Sequence, residues 1–520
     1  MRQDTRSKNS TRNITFSIIA YMVQLILSFL GRRYFIYYFS TEYLGLNSLF
    51  SNIISILSLA ELGFGAALVF AMYKPMATGD EEKVRQLLRY YRKCYYIIGC
   101  IIITLGLLVL PFMEYFKAKA PNVDVNLYIV YLIMLFNTVV SYFFAHRRSL
   151  LYTSQRQDIE SKITIITKTA LNFAQLLVIL LTKNYYLYIS LAGIFALVDN
   201  LIVFFVTQKH FPEFIQKPLS PLSKEDRKAI RKNIFALIFH KIGGVIVFCT
   251  DSLLIYMLFD AEVLGVYSNY LLITTAVTTF VSIFISAITG SVGNAVAKES
   301  PEYNYNLLGK LNFLYFMIVS FCTICIFVLC NPFISVALDK SASSKLLVDD
   351  FVRVLICMSF YFTQTRRMVS TFKDCKGLFY EHRFSPIFES IINLVASLLL
   401  ARVMGLGGVI LGTIISTVFV PLWVEPYVTN KHYFKKSTPK YFLKYALYTL
   451  CMLVAGGITT FVLSFVPAFS VWTLILKFGV CALVAGISLL VTMSICPEYR
   501  QCLSWGKNIL KNSFSRKKDQ

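Results

Sequence analysis

Residues 94–113 read CYYIIGCIIITLGLLVLPFM, twenty consecutive residues without a charge. An α-helix of about 20 apolar residues spans the hydrocarbon core of a bilayer, which is about 30 Å thick. Similar runs recur along the chain, because 56% of its 520 residues are apolar and only 15% are charged. Soluble proteins carry about 45–50% apolar and about 25% charged residues. The composition therefore excludes a soluble enzyme, a disordered scaffold and a collagen-like fibre, and it predicts an all-α polytopic membrane protein.

The apolar residues suffice for about 14 transmembrane helices. An even number of spans places both chain ends on one side of the membrane. The predicted spans are 13–38, 43–72, 94–116, 127–147, 163–182, 185–207, 233–258, 263–296, 311–335, 347–365, 384–402, 405–428, 442–465 and 470–495.

The basic residues fix the predicted orientation. The formal net charge is +23, from 51 Lys and Arg against 28 Asp and Glu. With the spans above, 39 of the basic residues lie on the side of the two termini and eight lie on the other side. Lys and Arg favour cytoplasmic loops, so both termini are predicted to be cytoplasmic. This distribution explains the basic excess without a nucleic-acid partner.

Two inward segments carry a recognisable pattern. Residues 81–93 place Val84, Leu87, Leu88 and Tyr91 on one helical face, with basic residues around them. Such an amphipathic segment is predicted to lie in the membrane interface. Residues 209–232 hold seven basic residues and three prolines and separate six predicted spans from eight.

The halves on either side of this break share a motif. Residues 42–47 read EYLGLN and residues 262–267 read EVLGVY, and each follows the first long span of its half. We expect two parallel six-helix bundles around a central cavity, followed by two C-terminal helices. The predicted domains are an N-terminal bundle, a basic cytoplasmic linker, a C-terminal bundle, and two extra helices with a basic tail, at 1–208, 209–232, 233–430 and 431–520.

Polar residues within the spans indicate where water or protein must lie, because lipid offers them no partner. Gln24 shares a helical face with Arg32, and Asn47 begins a polar stripe that leads to Glu61. Serine and threonine alone would equally serve close helix packing. Buried Arg and Lys cost at least about 2.5–3.5 kcal/mol at membrane depth, which favours a wet cavity. Such a cavity would prefer an anionic, phosphate-bearing ligand.

Several of these charges have structural alternatives. Arg32 and Arg33 could snorkel to the outer interface, and Lys168 and Asp199 could neutralise each other on consecutive spans. Glu389 could be an ion or proton site or a structural hydrogen-bond anchor. Cys322 and Cys325 form a C-x-x-C without a second pair at ligand spacing, so no metal or cofactor is predicted.

Several stretches resemble the polysaccharide-transporter (Wzx-type) oligosaccharide flippases of bacterial surface glycan assembly, members of the multidrug/oligosaccharidyl-lipid/polysaccharide exporter superfamily. They are residues 42–50 (EYLGLNSLF), 57–65 (LSLAELGFG), 73–75, 377–379, 386–389, 392–394, 405–412 (GLGGVILG) and 423–427.

This resemblance implies two six-helix bundles that form a V-shaped cavity in the bacterial plasma membrane. It also implies an undecaprenyl-diphosphate-linked oligosaccharide as substrate and alternating access, often coupled to a proton or sodium gradient. Carried onto this sequence, the candidate substrate contacts are Arg32, Arg33, Lys168 and Lys241, with Gln24 and Asn47 beside them. The candidate ion-coupling residues are Asp251, Glu389 and Glu61.

Other functions stay open at this point. A flippase for lipid-linked peptidoglycan or teichoic acid precursors, or a small-molecule exporter, would use the same fold. An integral-membrane polymerase is disfavoured, because the outward loops are short and carry no paired carboxylates. A polymerase and glycosyltransferases of the same pathway are instead expected as partners, together with membrane lipids.

Overall fold

The chain is α-helical throughout the part that the structure, a computed structural model, describes. The described residues are 23–61, 64–154, 156–228, 230–231, 250–338, 346–378, 380–468 and 470–505, and they contain no β-strand. Within these ranges, ten helices are long and apolar enough to cross a membrane. The prediction of an all-α polytopic membrane protein is confirmed, whereas the number of 14 spans is not.

The chain divides into two units, Met1–Gly265 and Val266–Gln520. The finer domain limits given above stay predictions. The α-helices labelled in the first unit are α1 (23–39), α2 (Thr41–Leu57), α3 (Phe64–Thr78), α4 (Glu81–Leu107), α5 (Met113–Ala118), α6 (Leu127–Thr153), α7 (Gln157–Leu181), α8 (Tyr185–His210), α9 (Pro212–Ile215) and α10 (250–258).

Helix α11 (Ala261–Lys298) begins in the first unit and continues into the second. The helices labelled after it are α12 (Pro301–Phe333), α13 (Asp350–Thr365), α14 (Arg367–Lys376), α15 (Ser385–Met404), α16 (Leu406–Phe419), α17 (Pro421–Thr429), α18 (Pro439–Ser464) and α19 (Val471–Met493). Short π-helical turns, Ile334–Leu338 and Asn430–Phe434, extend α12 and α17.

Side-chain caps set the start of the long helices of the first unit. Asp80 accepts a hydrogen bond from the backbone N–H of Lys83, and Asn184 accepts one from Leu187. Asn126 caps α6 in the same way. Such caps satisfy backbone donors that the first helical turn leaves without partners. They therefore fix where α4, α6 and α8 begin. The starting residue in turn sets which side chains of each helix face inward.

The predicted span 43–72 is not one continuous α-helix. Helix α2 ends at Leu57 and a 3₁₀ turn, Ser58–Glu61, follows it before α3 begins. The Ser58 hydroxyl donates to the Ile54 carbonyl oxygen at 2.9 Å, a side-chain bond of the kind that competes with regular helical geometry. The predicted span is therefore divided between α2 and α3.

The glycines of the two EYLGLN-like motifs lie at a close crossing of backbones. A Cβ atom on Gly45 would lie 1.9 Å from the Ala261 carbonyl oxygen, and one on Gly265 would lie 2.0 Å from that of Thr41. Both distances are far below van der Waals contact, so only glycine fits at either position. Small residues allow this close approach between membrane helices.

The apolar face of the amphipathic segment 81–93 is covered by protein. The segment forms the first turns of α4, and its apolar residues Val84, Leu87, Leu88 and Tyr91 are buried. Periodicity identifies an apolar face but not the partner that covers it, and the position of the segment at the membrane interface stays a prediction. Here α6 and α9 pack against α4.

Candidate functional site

A cavity of about 910 Å³ lies within the first unit. Its walls come from α3, α4, α6, α7 and α8 and the 3₁₀ turn before α3. This volume falls within the range of small-molecule sites, about 300–1,000 Å³. Its polar and charged lining residues are Glu61, Tyr73, Tyr91, Tyr95, Thr138, Ser141, Tyr142, Arg148, Ser149, Tyr152, Glu160, Thr164, Thr167, Lys168, Asp199 and Asn200.

Two polar helical faces supply much of this lining. On α6, lining residues recur at 138, 141, 145, 148 and 152, and on α7 they recur at 160, 164, 167, 168 and 171. These spacings of three and four residues keep the side chains on one face of each helix. The sequences of α6 and α7 therefore place hydroxyl and charged groups in the lining of the same cavity.

Arg148 holds two carboxylates at this face. Its guanidinium lies 2.7 Å from Glu160 Oε1 of α7 and forms a second ion pair with Asp199 of α8. The Thr167 hydroxyl donates to Asp199 Oδ1 at 2.7 Å. All three charged side chains are largely buried but retain some exposure. The network joins three helices around the cavity.

Glu61 belongs to a second polar group in the same cavity. The Tyr95 hydroxyl donates to Glu61 Oε1 at 2.5 Å, and the Tyr95 ring stacks on Tyr91 at 4.5 Å between centroids. A Cβ atom on Gly65 would lie 2.4 Å from the Tyr95 hydroxyl oxygen and 2.9 Å from Glu61 Oε1. Because Gly65 has no side chain, the Glu61 carboxylate and the Tyr95 hydroxyl have the space to form their hydrogen bond.

Carboxylates outnumber cations in the lining of this cavity, and the basic cavity expected between the two bundles stays a prediction. Three carboxylates line the cavity of the first unit, Glu61, Glu160 and Asp199, and two cationic side chains, Arg148 and Lys168. Within the described ranges Lys168 forms no ion pair, and it is exposed toward the cavity. The alternative in which Lys168 and Asp199 neutralise each other was wrong, because Arg148 forms the ion pair with Asp199.

Of the predicted site residues that the structure describes, only Glu61 and Lys168 line this cavity. Gln24, Arg32 and Arg33 are half-buried on α1. The Arg32 charge interacts with Tyr188 of α8, so α1 packs along that helix. Asn47 Oδ1 accepts a hydrogen bond from the Tyr185 hydroxyl at 2.6 Å.

Three predicted residues remain, and the structure describes two of them. Lys241 falls outside the described residues. Asp251 is half-buried near the start of α10. Glu389 is half-buried on α15 in the second unit, where its charge interacts with those of Arg366 and Glu425. Asp251 and Glu389 therefore do not line the cavity described above.

Arg366 forms an ion pair with the buried carboxylate of Glu425 in the second unit, and its own side chain is 22% exposed. Their side chains meet at 2.7 Å, and Glu425 is only 2% exposed. The Ser370 hydroxyl donates to the same Glu425 Oε1 at 3.2 Å, and His382 Nε2 lies 3.9 Å from it. The pair joins α17 to the start of α14, which gives Glu425 a structural role.

Sequence reasoning missed Arg148 and Glu160 because the predicted spans ended at residue 147 and began again only at residue 163. Helix α6 instead continues to Thr153 and α7 begins at Gln157, so both residues belong to helices and not to a loop. The polar periodicity of Thr138, Ser141 and Arg148 was a signal that could have found Arg148. The tyrosines offered no such signal, since aromatic residues are common throughout the chain.

The described residues contain no group of three or more His, Cys, Asp or Glu that could hold a metal ion.

Comparison with known proteins gives one family and one fold. A family model described as "Polysaccharide biosynthesis protein" matches residues 10–289. The fold is similar to a lipid II flippase, MurJ, in an inward closed conformation, with a TM-score of 0.65, 16% identity, and coverage of 94% of this chain and 100% of that one.

Two multidrug transporters show the same fold. A MATE family transporter in an inward-facing conformation matches with a TM-score of 0.54 and 14% identity over 79% of this chain and 98% of its own. A mutant of the Vibrio cholerae MATE transporter VcmN matches with a TM-score of 0.55 and 10% identity over 84% and 99%. No curated protein sequence matches the chain significantly.

Proposed function

The chain belongs to the polysaccharide biosynthesis protein family, and from this premise we propose that it is a flippase for a lipid-linked oligosaccharide. The proposed substrate is an undecaprenyl-diphosphate-linked repeat unit. The protein would carry it across the bacterial plasma membrane by alternating access, for surface polysaccharides such as capsule, O-antigen or exopolysaccharide. Both termini would be cytoplasmic.

One observation carries this proposal: the extent of the fold similarity. The match to the lipid II flippase covers 94% of this chain, whereas the matches to the two MATE transporters cover 79% and 84%. A fold that matches a lipid flippase almost from end to end, in a chain of a polysaccharide family, favours a lipid-linked glycan as substrate.

The cavity of the first unit offers suitable chemistry for the sugar part. Ionised carboxylates accept hydrogen bonds, guanidinium groups donate them, and tyrosine combines an apolar ring with a hydroxyl. A polar sugar crossing lipid needs such groups, because hydrocarbon offers it none. The polyprenyl tail would stay in the bilayer.

The diphosphate would require cations that this cavity provides only in part. Lys168 lines the cavity without an ion pair among the described residues. Arg32, Arg33 and Lys241 stay candidates for the remaining contacts, with Gln24 and Asn47 beside them. Arginine suits this role because its planar fork binds two phosphate oxygens at once.

For ion coupling we favour Glu61 over Asp251 and Glu389. Glu61 faces the cavity and accepts a short hydrogen bond from Tyr95, so a proton or a sodium ion arriving from the cavity could reach it. Loss of the carboxylate charge would weaken its affinity for sodium and change its hydrogen bonding.

The alternatives are a flippase for peptidoglycan or teichoic acid precursors, a small-molecule exporter, and an integral-membrane polymerase. The first is favoured by the similarity to a lipid II flippase and the second by the MATE folds. The similar proteins are transporters, so a polymerase or glycosyltransferase is a more suitable partner than an identity for this chain.

Reconstitution into vesicles separates these functions. We expect transbilayer movement of an undecaprenyl-diphosphate-linked oligosaccharide, faster than movement of lipid II or efflux of a cationic dye, and dependent on a proton or sodium gradient. Faster movement of lipid II, or dye efflux without lipid movement, would replace the proposal with one of its alternatives. Elongated glycan among the products would indicate a polymerase.

A further inference from the structure

A second, smaller pocket of the first unit is rich in cations. It has a volume of about 310 Å³ and lies between the first turns of α4, the C-terminal part of α6, and α9 with the segment that follows it. Its charged lining residues are Arg85, Arg89, Arg92, Arg147 and Lys217, and no carboxylate lines it.

These charges are brought together by helix geometry. Arg85, Arg89 and Arg92 are spaced by four and three residues and so share one face of α4. Arg147 projects from α6, where its guanidinium lies over the Phe204 ring at 4.5 Å. The charges of Arg92 and Arg147 are close enough to interact.

Most of this charge is uncompensated. Arg85 pairs with Glu81 at 2.7 Å, whereas Arg89, Arg92, Arg147 and Lys217 form no ion pair within the described ranges. Like charges held together raise the free energy of the folded chain unless an anion joins them.

A buried imidazole also lines the pocket. His146 is only 8% exposed, and its imidazole interacts with the backbone of Phe143. The pocket therefore combines positive charge with a buried imidazole.

The segment that closes the pocket is tied firmly to α4. Arg85 Nε donates to the Glu213 carbonyl oxygen at 2.5 Å, and Lys83 forms an ion pair with Asp226. Glu82 accepts hydrogen bonds from the backbone N–H groups of Leu219 and Ser220. The wall is therefore preformed, and its segments are those that the basic residues predict to be cytoplasmic.

We propose that this pocket binds a phosphate group at the cytoplasmic face, as a site separate from the transport cavity. Arginine clusters bind phosphate oxygens through charge-assisted hydrogen bonds, and a volume of 310 Å³ suits a small headgroup or a free diphosphate. The phosphate belongs either to an anionic lipid of the inner leaflet or to a soluble compound.

Full-length protein in phosphatidylcholine nanodiscs allows a direct test with radiolabelled inorganic pyrophosphate. We expect one saturable site, with affinity at least tenfold weaker in Arg89→Gln/Arg92→Gln and unchanged in Lys440→Gln/Arg500→Gln, a pair of exposed residues with the same charge change. Thermal unfolding of each variant reports whether it is folded.

Adding phosphatidic acid to the nanodiscs identifies the source. Competition with pyrophosphate would assign the site to a lipid headgroup, and its absence would assign it to a soluble phosphate. Equal pyrophosphate affinity in wild type and Arg89→Gln/Arg92→Gln, or equal losses in both double variants, would overturn the proposal. Transport is not part of this measurement, so its outcome is independent of the proposed function.

Discussion

Arg148 in the first unit and Arg366 in the second are comparable residues in different surroundings. Each pairs with a carboxylate from another helix at 2.7 Å. Arg148 and its partners border a cavity of about 910 Å³, whereas Glu425, the partner of Arg366, is 2% exposed. The ion pair of the first unit therefore borders a ligand-sized space, whereas the carboxylate of the second pair is buried in protein.

This difference separates a functional charge from a structural one. Removing one partner of a buried ion pair leaves the other charge buried and uncompensated, which destabilises the fold. Charges that border a cavity keep access to water or ligand, so changing them should affect transport more than stability. The four variants below test this distinction in order of the expected loss of stability.

Arg366→Gln should cause the largest loss, about 3–5 kcal/mol, because it leaves Glu425 buried without its cation. Chemical denaturation or thermal unfolding of the purified protein measures it. Arg366→Met/Glu425→Leu removes both charges and should recover most of this stability. If the single variant unfolds like wild type, the pair is not structural.

Gly65→Ala should cost about 1–3 kcal/mol, since its Cβ would overlap the Tyr95 hydroxyl and the Glu61 carboxylate. Transport should fall with it, because the overlap displaces a cavity wall. Gly457→Ala on α18 is the matched control, as nothing lies within 4 Å of its Cβ position. Equal unfolding temperatures for the two variants would contradict the tight packing around Glu61.

Glu61→Gln should change stability by only about 1 kcal/mol, because the amide oxygen can still accept from Tyr95. Its transport should no longer respond to the ion gradient. Glu389→Gln makes the same change in the second unit and should keep the response. A response lost in Glu389→Gln and kept in Glu61→Gln would move the coupling site to α15. Vesicle transport with and without the gradient distinguishes the two.

Asp226→Asn should have the smallest effect, below about 1 kcal/mol, because its pair with Lys83 is partly exposed. The hydrogen bond from Lys83 lowers the pKa of Asp226 below its ordinary value of 3.8. This stabilisation is therefore present above pH 3.8 and is lost as the pH falls through the lowered pKa. The difference between wild type and variant should vanish in acid. A difference that persists there would assign it to another cause.

Sequence alone was sufficient for the fold class, because apolar runs and the distribution of basic residues are properties of single segments. Glu61 and Lys168 were also found from sequence, as charges in otherwise apolar spans are rare and costly. Arg32 could be placed on a polar face of α1, but its neighbour Tyr188 comes from a distant helix.

The partners of charged residues could not be predicted. Asp199 pairs with Arg148 and not with Lys168, since several cations lay within reach in sequence and only helix packing decides among them. The apolar face of residues 81–93 is covered by protein for the same reason. Periodicity assigns a residue to a face, whereas packing assigns the face to its partner.

The central claim, that the substrate's polar part passes through the cavity of the first unit, is tested most directly by filling that cavity. Ala192 lines it on α8, and Ile194 on the same helix is 49% exposed. In vesicles, Ala192→Trp should stop the movement of the lipid-linked oligosaccharide while Ile194→Trp moves it at the wild-type rate. Wild-type movement by a folded Ala192→Trp protein would contradict the claim.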